Sequence, residues 1–245
     1  MVAAPAAADA VARARRMPDL RVGLHIVLVD GSPALPHWEV HSLLRRDGRF
    51  DQNMARAGIR FFALPHVRRE LAREIRAQFE AFRATGLRLD HVNTHKHMHL
   101  HPTVARLIVE IGRDYGMQAV RVPLEPAAAL RAAFPEERYA APFYRPWIER
   151  LRSRLRRAGL FVNDHLFGLA WSGGFDERRL LRLIPHLPDG ISEMYFHPAT
   201  ARGPTLSAVM PGYRQEEELA ALLSSPIKEL IDRSGIRLVS YRDLQ

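Results

Sequence analysis

The chain has 245 residues, enough to bury the core of one large α/β domain, and no cysteine, which excludes thiolate metal sites, cysteine nucleophiles and disulfide staples. Its formal charge is +9, mostly from an excess of arginine, which suits either an anionic partner or simply solvated helix faces. No RNA-binding signature or aromatic-basic interleaving accompanies that charge, so no nucleic-acid partner is expected.

The N-terminal stretch Met1-Val2-Ala3-Ala4-Pro5 lacks the basic start and Leu-rich core of a signal peptide. No run of ~18 apolar residues could span a bilayer. The expectation is a soluble, cytoplasmic chain, working in solution or at the inner membrane surface.

Helical and strand patterns then alternate from end to end. Residues 6–16 read as a helix, and 20–28 as a strand with Val22, Leu24, Ile26 and Leu28 on one face. Residues 31–58, rich in Pro, Gly and polar side chains, read as a long loop. A helix over 67–85 carries the stripe Leu71, Ile75, Phe79 and Phe82, with Gly86 as its stop. A strand over 87–93 follows, then a helix opening at Pro102 with Leu107, Ile108 and Ile111 buried.

Residues 118–122 read as a short strand, and two proline-broken helical stretches lie between Pro123 and Gly159. The second, residues 145–157, holds six arginines and one glutamate, with Ile148, Leu151 and Leu155 at helical spacing. Such a helix can rest on an anionic membrane or pack its stripe on its own core. Residues 160–169 read as partly strand, and Asp176 as the N-cap of a helix with Leu180, Leu181 and Ile184. Strands are expected over 190–197 and 236–241, with helices over 215–224 and from Pro226. Alternating β and α elements imply a parallel sheet, open or closed, in a single domain over 1–245.

Five of the twelve histidines fall within eleven residues: His91, His95, His97, His99 and His101. They share one parity, so an extended backbone would point them the same way, and neutral imidazole is the commonest metal ligand. His25 and His197 join this group at the expected C-terminal ends of other strands, where barrel chemistry gathers. His25 can be a ligand or a satisfied core group. Glu193, Tyr195 and His197 would share a face, with Glu193 able to orient the imidazole as a general acid or base; a polar strand end is the other reading. Arg121, at a strand end, can pair with a carboxylate, meet a substrate, or lie at the surface. Asp164 and His165 form a further polar pair.

Three ordered motifs carry a resemblance: residues 23–28 (GLHIVL), residues 95–102 (HKHMHLHP) and Phe196-His197-Pro198. In that order they resemble the YdjC-like carbohydrate deacetylases. The wording of residues 53–62, 111–116 and 121–123 is most similar to the hopanoid-biosynthesis-associated branch. The resemblance implies a distorted (β/α) barrel, related to TIM barrels, that removes the N-acetyl group of an amino sugar with one divalent metal, Mg²⁺. By position, His25 and His95 are implied as metal ligands and His197 as the acid that protonates the leaving amine, supported by Glu193. His97 and His99 are implied as supports of the metal ligands or as substrate contacts; from the residues themselves, Asp164 is a candidate substrate contact and Arg121 a candidate catalytic contact. The substrate implied is the N-acetylglucosaminyl head group of a hopanoid, with residues 145–157 as a peripheral membrane contact; a chitooligosaccharide is the other substrate class. Whether the chain forms a homo-oligomer is left open.

The same resemblance marks a departure. Family members begin with a strand ending in Asp-Asp-Phe-Gly, whose aspartates serve as base and third metal ligand, and no Asp-Asp pair occurs in this sequence. The first βα unit is expected to be missing, and the chain as written is expected to be impaired as an enzyme. Rival readings are an amidohydrolase-type barrel, a non-enzymatic basic protein and a metal-binding scaffold.

Overall fold

The computed structural model describes residues 1–139 and 143–244. These gather into two compact units, one of Met1–Arg121, Glu149–Val162 and Val239–Gln245, the other of Val122–Ile148 and Asn163–Leu238.

In the first unit, α1 (Ala7–Ala14) is an alanine-rich helix carrying an i,i+4 Asp9–Arg13 pair, and β1 (Val22–Ile26) follows. Residues 31–53 form the expected loop, with two short 3₁₀ turns at 37–39 and 41–43 and an antiparallel bridge of Leu44 to Phe50. The loop expected to run to Gly58 ends earlier, because Asn53 caps α2 (Met54–Ala63) by accepting the Arg56 N–H. Pro65 then opens α3 (Pro65–Ala84), and Leu71, Ile75, Phe79 and Phe82 are buried as their spacing predicts. Gly86, at φ +71°, turns the chain out of it.

Beside that apolar stripe α3 buries Glu70, Glu74 and Gln78. Gln78 exchanges two bonds with the Val27 backbone, Glu74 accepts the Ala34 and Leu35 N–H groups, and Glu70 accepts that of Ser42. These side chains supply the partners that a sheet would otherwise give this loop's backbone.

The strand β2 (Leu89–Thr94) pairs parallel with β1, His25 lying opposite Asn93 and Ile26 opposite Thr94. α4 (Pro102–Gly112) begins at its proline and buries Leu107, Ile108 and Ile111. The strand expected over 118–122 is reduced to parallel bridges, Val92 to Val120 and Ala119 to Phe161.

In the second unit, α5 (Ala127–Ala133) comes first. α6 (Arg145–Arg157) runs from this unit into the first. Ile148, Leu151 and Leu155 are all buried, so the apolar stripe of the basic helix packs inside the protein. The expectation that 145–157 rests on a membrane through this stripe is therefore corrected; its arginines face outward instead.

β3 (His165–Phe167) and β4 (Ser192–Met194) pair parallel, separated by α7 (Glu177–Leu183), whose cap is Asp176 as expected. α8 (Pro204–Val209), α9 (Gln215–Leu222) and α10 (Ser225–Arg233) follow. Phe134, Phe167, Trp171, Phe175 and Leu183 form the core of this unit. Residues 236–240 form no strand, because alternating apolar side chains need a neighbouring strand and none pairs with them. The fold is mixed α/β with parallel pairing in both units.

Candidate functional site

β1 and β2 end side by side, and this sets the first part of the site. His25 lies one residue before the end of β1 and His95 one residue after β2, with their rings edge to face at 5.6 Å between centroids. Burial, then the neighbouring His95 and Arg121, depress the pKa of His25 to about 3, so this ring is neutral near pH 7.

Asn93 stands between these groups, with one amide atom 2.5 Å from His25 Nδ1. With its oxygen toward His25, it accepts a hydrogen bond from Nδ1–H and leaves Nε2 with a free lone pair. Turned over, its NH₂ donates to Nδ1 at 2.5 Å and its oxygen accepts from the Arg121 guanidinium at 3.3 Å. The second orientation satisfies all three groups and puts the imidazole proton on Nε2. Arg121 is thus coupled to His25 through Asn93. Sequence reasoning passed over Asn93, whose one available signal was its shared parity with His91 and His95.

The histidine run does not stay extended. Residues 95–100 form a 3₁₀ turn with Lys96 and His97 both left-handed, at φ 51° and 53°. Left-handed non-glycine residues are strained, and a third, Asp30 at φ 49°, faces this turn. The Asp30 carboxylate accepts from Lys96 Nζ at 2.6 Å, an ion pair that holds it below the usual carboxylate range.

The shared-parity expectation therefore fails beyond Thr94. His91 points into the fold, paired with Asp90 at 2.8 Å and with its ring tilted against that of Tyr241 at 4.7 Å, lying where a Cβ on Gly23 would sit. His99 is buried with both ring nitrogens engaged: Nε2 donates to the Arg121 carbonyl at 2.9 Å, so Nδ1 accepts from the Thr94 hydroxyl at 2.6 Å. Its expected substrate contact is withdrawn, since a ring bonded on both sides inside the core cannot reach a ligand. His97 stays half-buried, its ring 6.1 Å from that of His99. His101 turns against Phe61 and Phe62 of α2.

The other expected residues belong to the second unit. His197 follows β4 by three residues, its ring edge-on to Tyr195 and Tyr213 at 5.5 and 5.0 Å. Buried Glu218 fixes its backbone, accepting the His197 N–H at 2.5 Å and the Phe175 N–H at 3.0 Å. Gly173 at φ +77° lets the Tyr213 ring lie against the chain where any Cβ would collide. Glu193 lies in β4 opposite Leu166. Asp164 accepts the Ile191 N–H at 3.0 Å, clamping the start of the β3–β4 pair.

Two imidazoles side by side suit a divalent cation, but Mg²⁺ prefers oxygen ligands. Among the described residues, no group of three or more His, Asp or Glu side chains is placed to hold a metal ion. No reaction step follows from the His25–His95 pair alone.

Comparison with known proteins agrees with this architecture. A carbohydrate deacetylase of Geobacillus stearothermophilus is 30% identical over 241 residues, covering 98% of this chain and 82% of that relative. One of Brevibacillus brevis is 26% identical over 236 residues, covering 96% and 82%. A solved Enterococcus faecalis V583 structure, provisionally assigned to cellobiose-phosphate cleavage, superposes with a TM-score of 0.74 at 22% identity, covering 100% of this chain and 85% of that one. The model of the YdjC-like protein family matches residues 1–233, and the chain belongs to that family.

Proposed function

We propose that this chain is a carbohydrate deacetylase that hydrolyses the N-acetyl group of an amino sugar, with the N-acetylglucosaminyl head group of a hopanoid as substrate. The observation that carries this reading is the His25–His95 pair at the joined ends of parallel β1 and β2, in a chain matched by its family almost throughout. The distorted (β/α) barrel implied by the resemblance belongs to the same proposal, supported by the parallel pairing within each unit.

In this reading His25 and His95 would hold one divalent cation, Mg²⁺, with the Asn93 oxygen turned to the His25 Nδ1–H so that Nε2 is free. Such a cation would supply Lewis-acid polarisation of the acetyl carbonyl and a lowered pKa for the attacking water. Asn93 selects which nitrogen of His25 is available, and Arg121 biases that choice. His197 protonates the departing amine, with Glu193 supporting it. The carbohydrate is the partner; no nucleic acid is involved.

The test is acetate release from an N-acetylglucosaminyl hopanoid and from chitobiose, using protein purified from the cells that make it. Release from the hopanoid, lost in His25→Ala and His197→Ala, is expected. Release from chitobiose alone would move the substrate to chitooligosaccharides, and no release from either with any divalent cation would overturn the reading.

A further inference from the structure

The outward side of α2 is apolar where a surface helix is normally polar. Ala55, Ile59, Phe62 and Ala63 fall on one exposed face at helical spacing, with Ile59 68% and Phe62 64% solvent-accessible. Met54 at one end and Leu64 at the other are exposed as well. Ala57 and Phe61 form the opposite, buried face. The helix is therefore apolar on both sides, and only one of them packs against the protein.

The charges bordering this face are in positive excess, four arginines against two aspartates in the groove beside it. Arg56 and Arg60 line one flank, Arg56 fixed by Asp51 and Arg60 by the Ser42 carbonyl. Arg45 and Arg46 share an open groove of about 480 Å³ with them. Arg68 caps the far end through the Phe62 carbonyl. The two acids of the groove, Asp47 and Asp51, are paired with Arg45 and Arg56. In the adjoining loop Trp38 is 79% exposed.

We propose that this face of α2 docks on an anionic lipid bilayer. A convex apolar strip with arginines along its edge matches a helix lying in the headgroup layer, where apolar side chains enter the acyl boundary and guanidinium groups meet phosphates. A protein partner would have to supply a groove complementary to that convex strip, and a bilayer needs no such shape. The chain's net charge of +9 adds long-range attraction of the same sign. No described helix is long and apolar enough to cross a membrane, so the contact is peripheral. Because α2 also packs on His101, at the end of the histidine run, docking would bring that turn close to the membrane surface.

The docking inference goes beyond the deacetylase reading and does not depend on it, since its test contains no sugar. The chain is sedimented with vesicles of phosphatidylcholine alone or doped with phosphatidylglycerol, at low and high salt. Binding is expected only to the anionic vesicles and to weaken with salt. It should fall about tenfold or more in Ile59→Ser/Phe62→Ser, and measurably in Arg45→Gln/Arg46→Gln. These positions are exposed, and circular dichroism would verify that the variants fold. Equal binding by the wild type and the Ile59/Phe62 variant would overturn the proposal, as would no binding at all. A loss of self-association in that variant with vesicle binding unchanged would assign the face to a second copy of the chain, and would also overturn it.

Discussion

Asn93 lies 2.5 Å from Nδ1 of His25, and the way its amide faces decides which nitrogen of that ring carries the proton. With the Asn93 oxygen on Arg121, His25 keeps its proton on Nε2. With that oxygen on His25, Nε2 is free to bind a cation. An outer partner of this kind typically changes metal affinity 10–100-fold. We predict that Asn93→Leu, which removes the NH₂ that keeps the His25 proton on Nε2, strengthens divalent-cation binding by up to about that factor, measured by calorimetric titration with Mn²⁺. Arg121→Gln, which releases the amide from the guanidinium, should strengthen it.

The His99 ring, buried and bonded on both sides, has its pKa lowered to about 3 from 6.5. A histidine whose folded pKa lies below its unfolded value takes up a proton on unfolding. Its contribution is complete above about pH 6.5 and is lost progressively as pH falls toward 3. Each such ring contributes a slope of about 1.4 kcal/mol per pH unit within that window. His25 is depressed to a similar value. Thermal unfolding should therefore shift to lower temperature below pH 6.5, and His99→Gln should make that pH dependence shallower by about one proton while lowering stability at pH 7.

Lys96 occupies a left-handed conformation and pairs with Asp30 at 2.6 Å, both side chains being partly exposed. The exposed pair contributes no more than about 1 kcal/mol, and a left-handed non-glycine residue costs a similar amount. Lys96→Gly removes both effects, so its stability should lie within about 1 kcal/mol of wild type in denaturant titration. Lys96→Val keeps the strain and loses the pair, and should be clearly less stable than Lys96→Gly.

Leu151 is buried on the inner side of the basic helix α6. Leu151→Ala should cost about 2–5 kcal/mol of stability, as a large-to-small core change does. Its folded fraction should bind anionic vesicles as wild type does. Wild-type stability with reduced vesicle binding would mean that the apolar stripe of α6 faces lipid after all.

Much of the helical framework was legible because its signals are local. The stripe Leu71-Ile75-Phe79-Phe82, the stop at Gly86, the proline that opens α4 and the cap at Asp176 each depend on neighbours in sequence. His25 and His95 were legible as residues at strand ends. α2 was missed because its apolar residues occupy both sides and follow a Pro- and Gly-rich stretch, so no clean periodicity marks it. The ordering of residues 27–42 by Gln78, Glu74 and Glu70 depends on contacts 28–51 residues apart, and polar side chains on a helix ordinarily read as its solvent face. The histidine run misled because parity holds only while the backbone stays extended, and it leaves that conformation after Thr94. Asn93 carries no motif signal; its role exists only through β1 pairing with β2 and the approach of Arg121.

The central claim is that His25 and His95 together serve one divalent cation in removing an acetyl group. The most direct measurement is acetate release from an N-acetylglucosaminyl hopanoid by protein isolated from its own cells, after chelation and after restoring Mg²⁺, for wild type, His25→Ala and His95→Ala. Chelation should stop release, Mg²⁺ should restore it in wild type, and neither variant should recover. Release that ignores both the chelator and the two substitutions would contradict the claim.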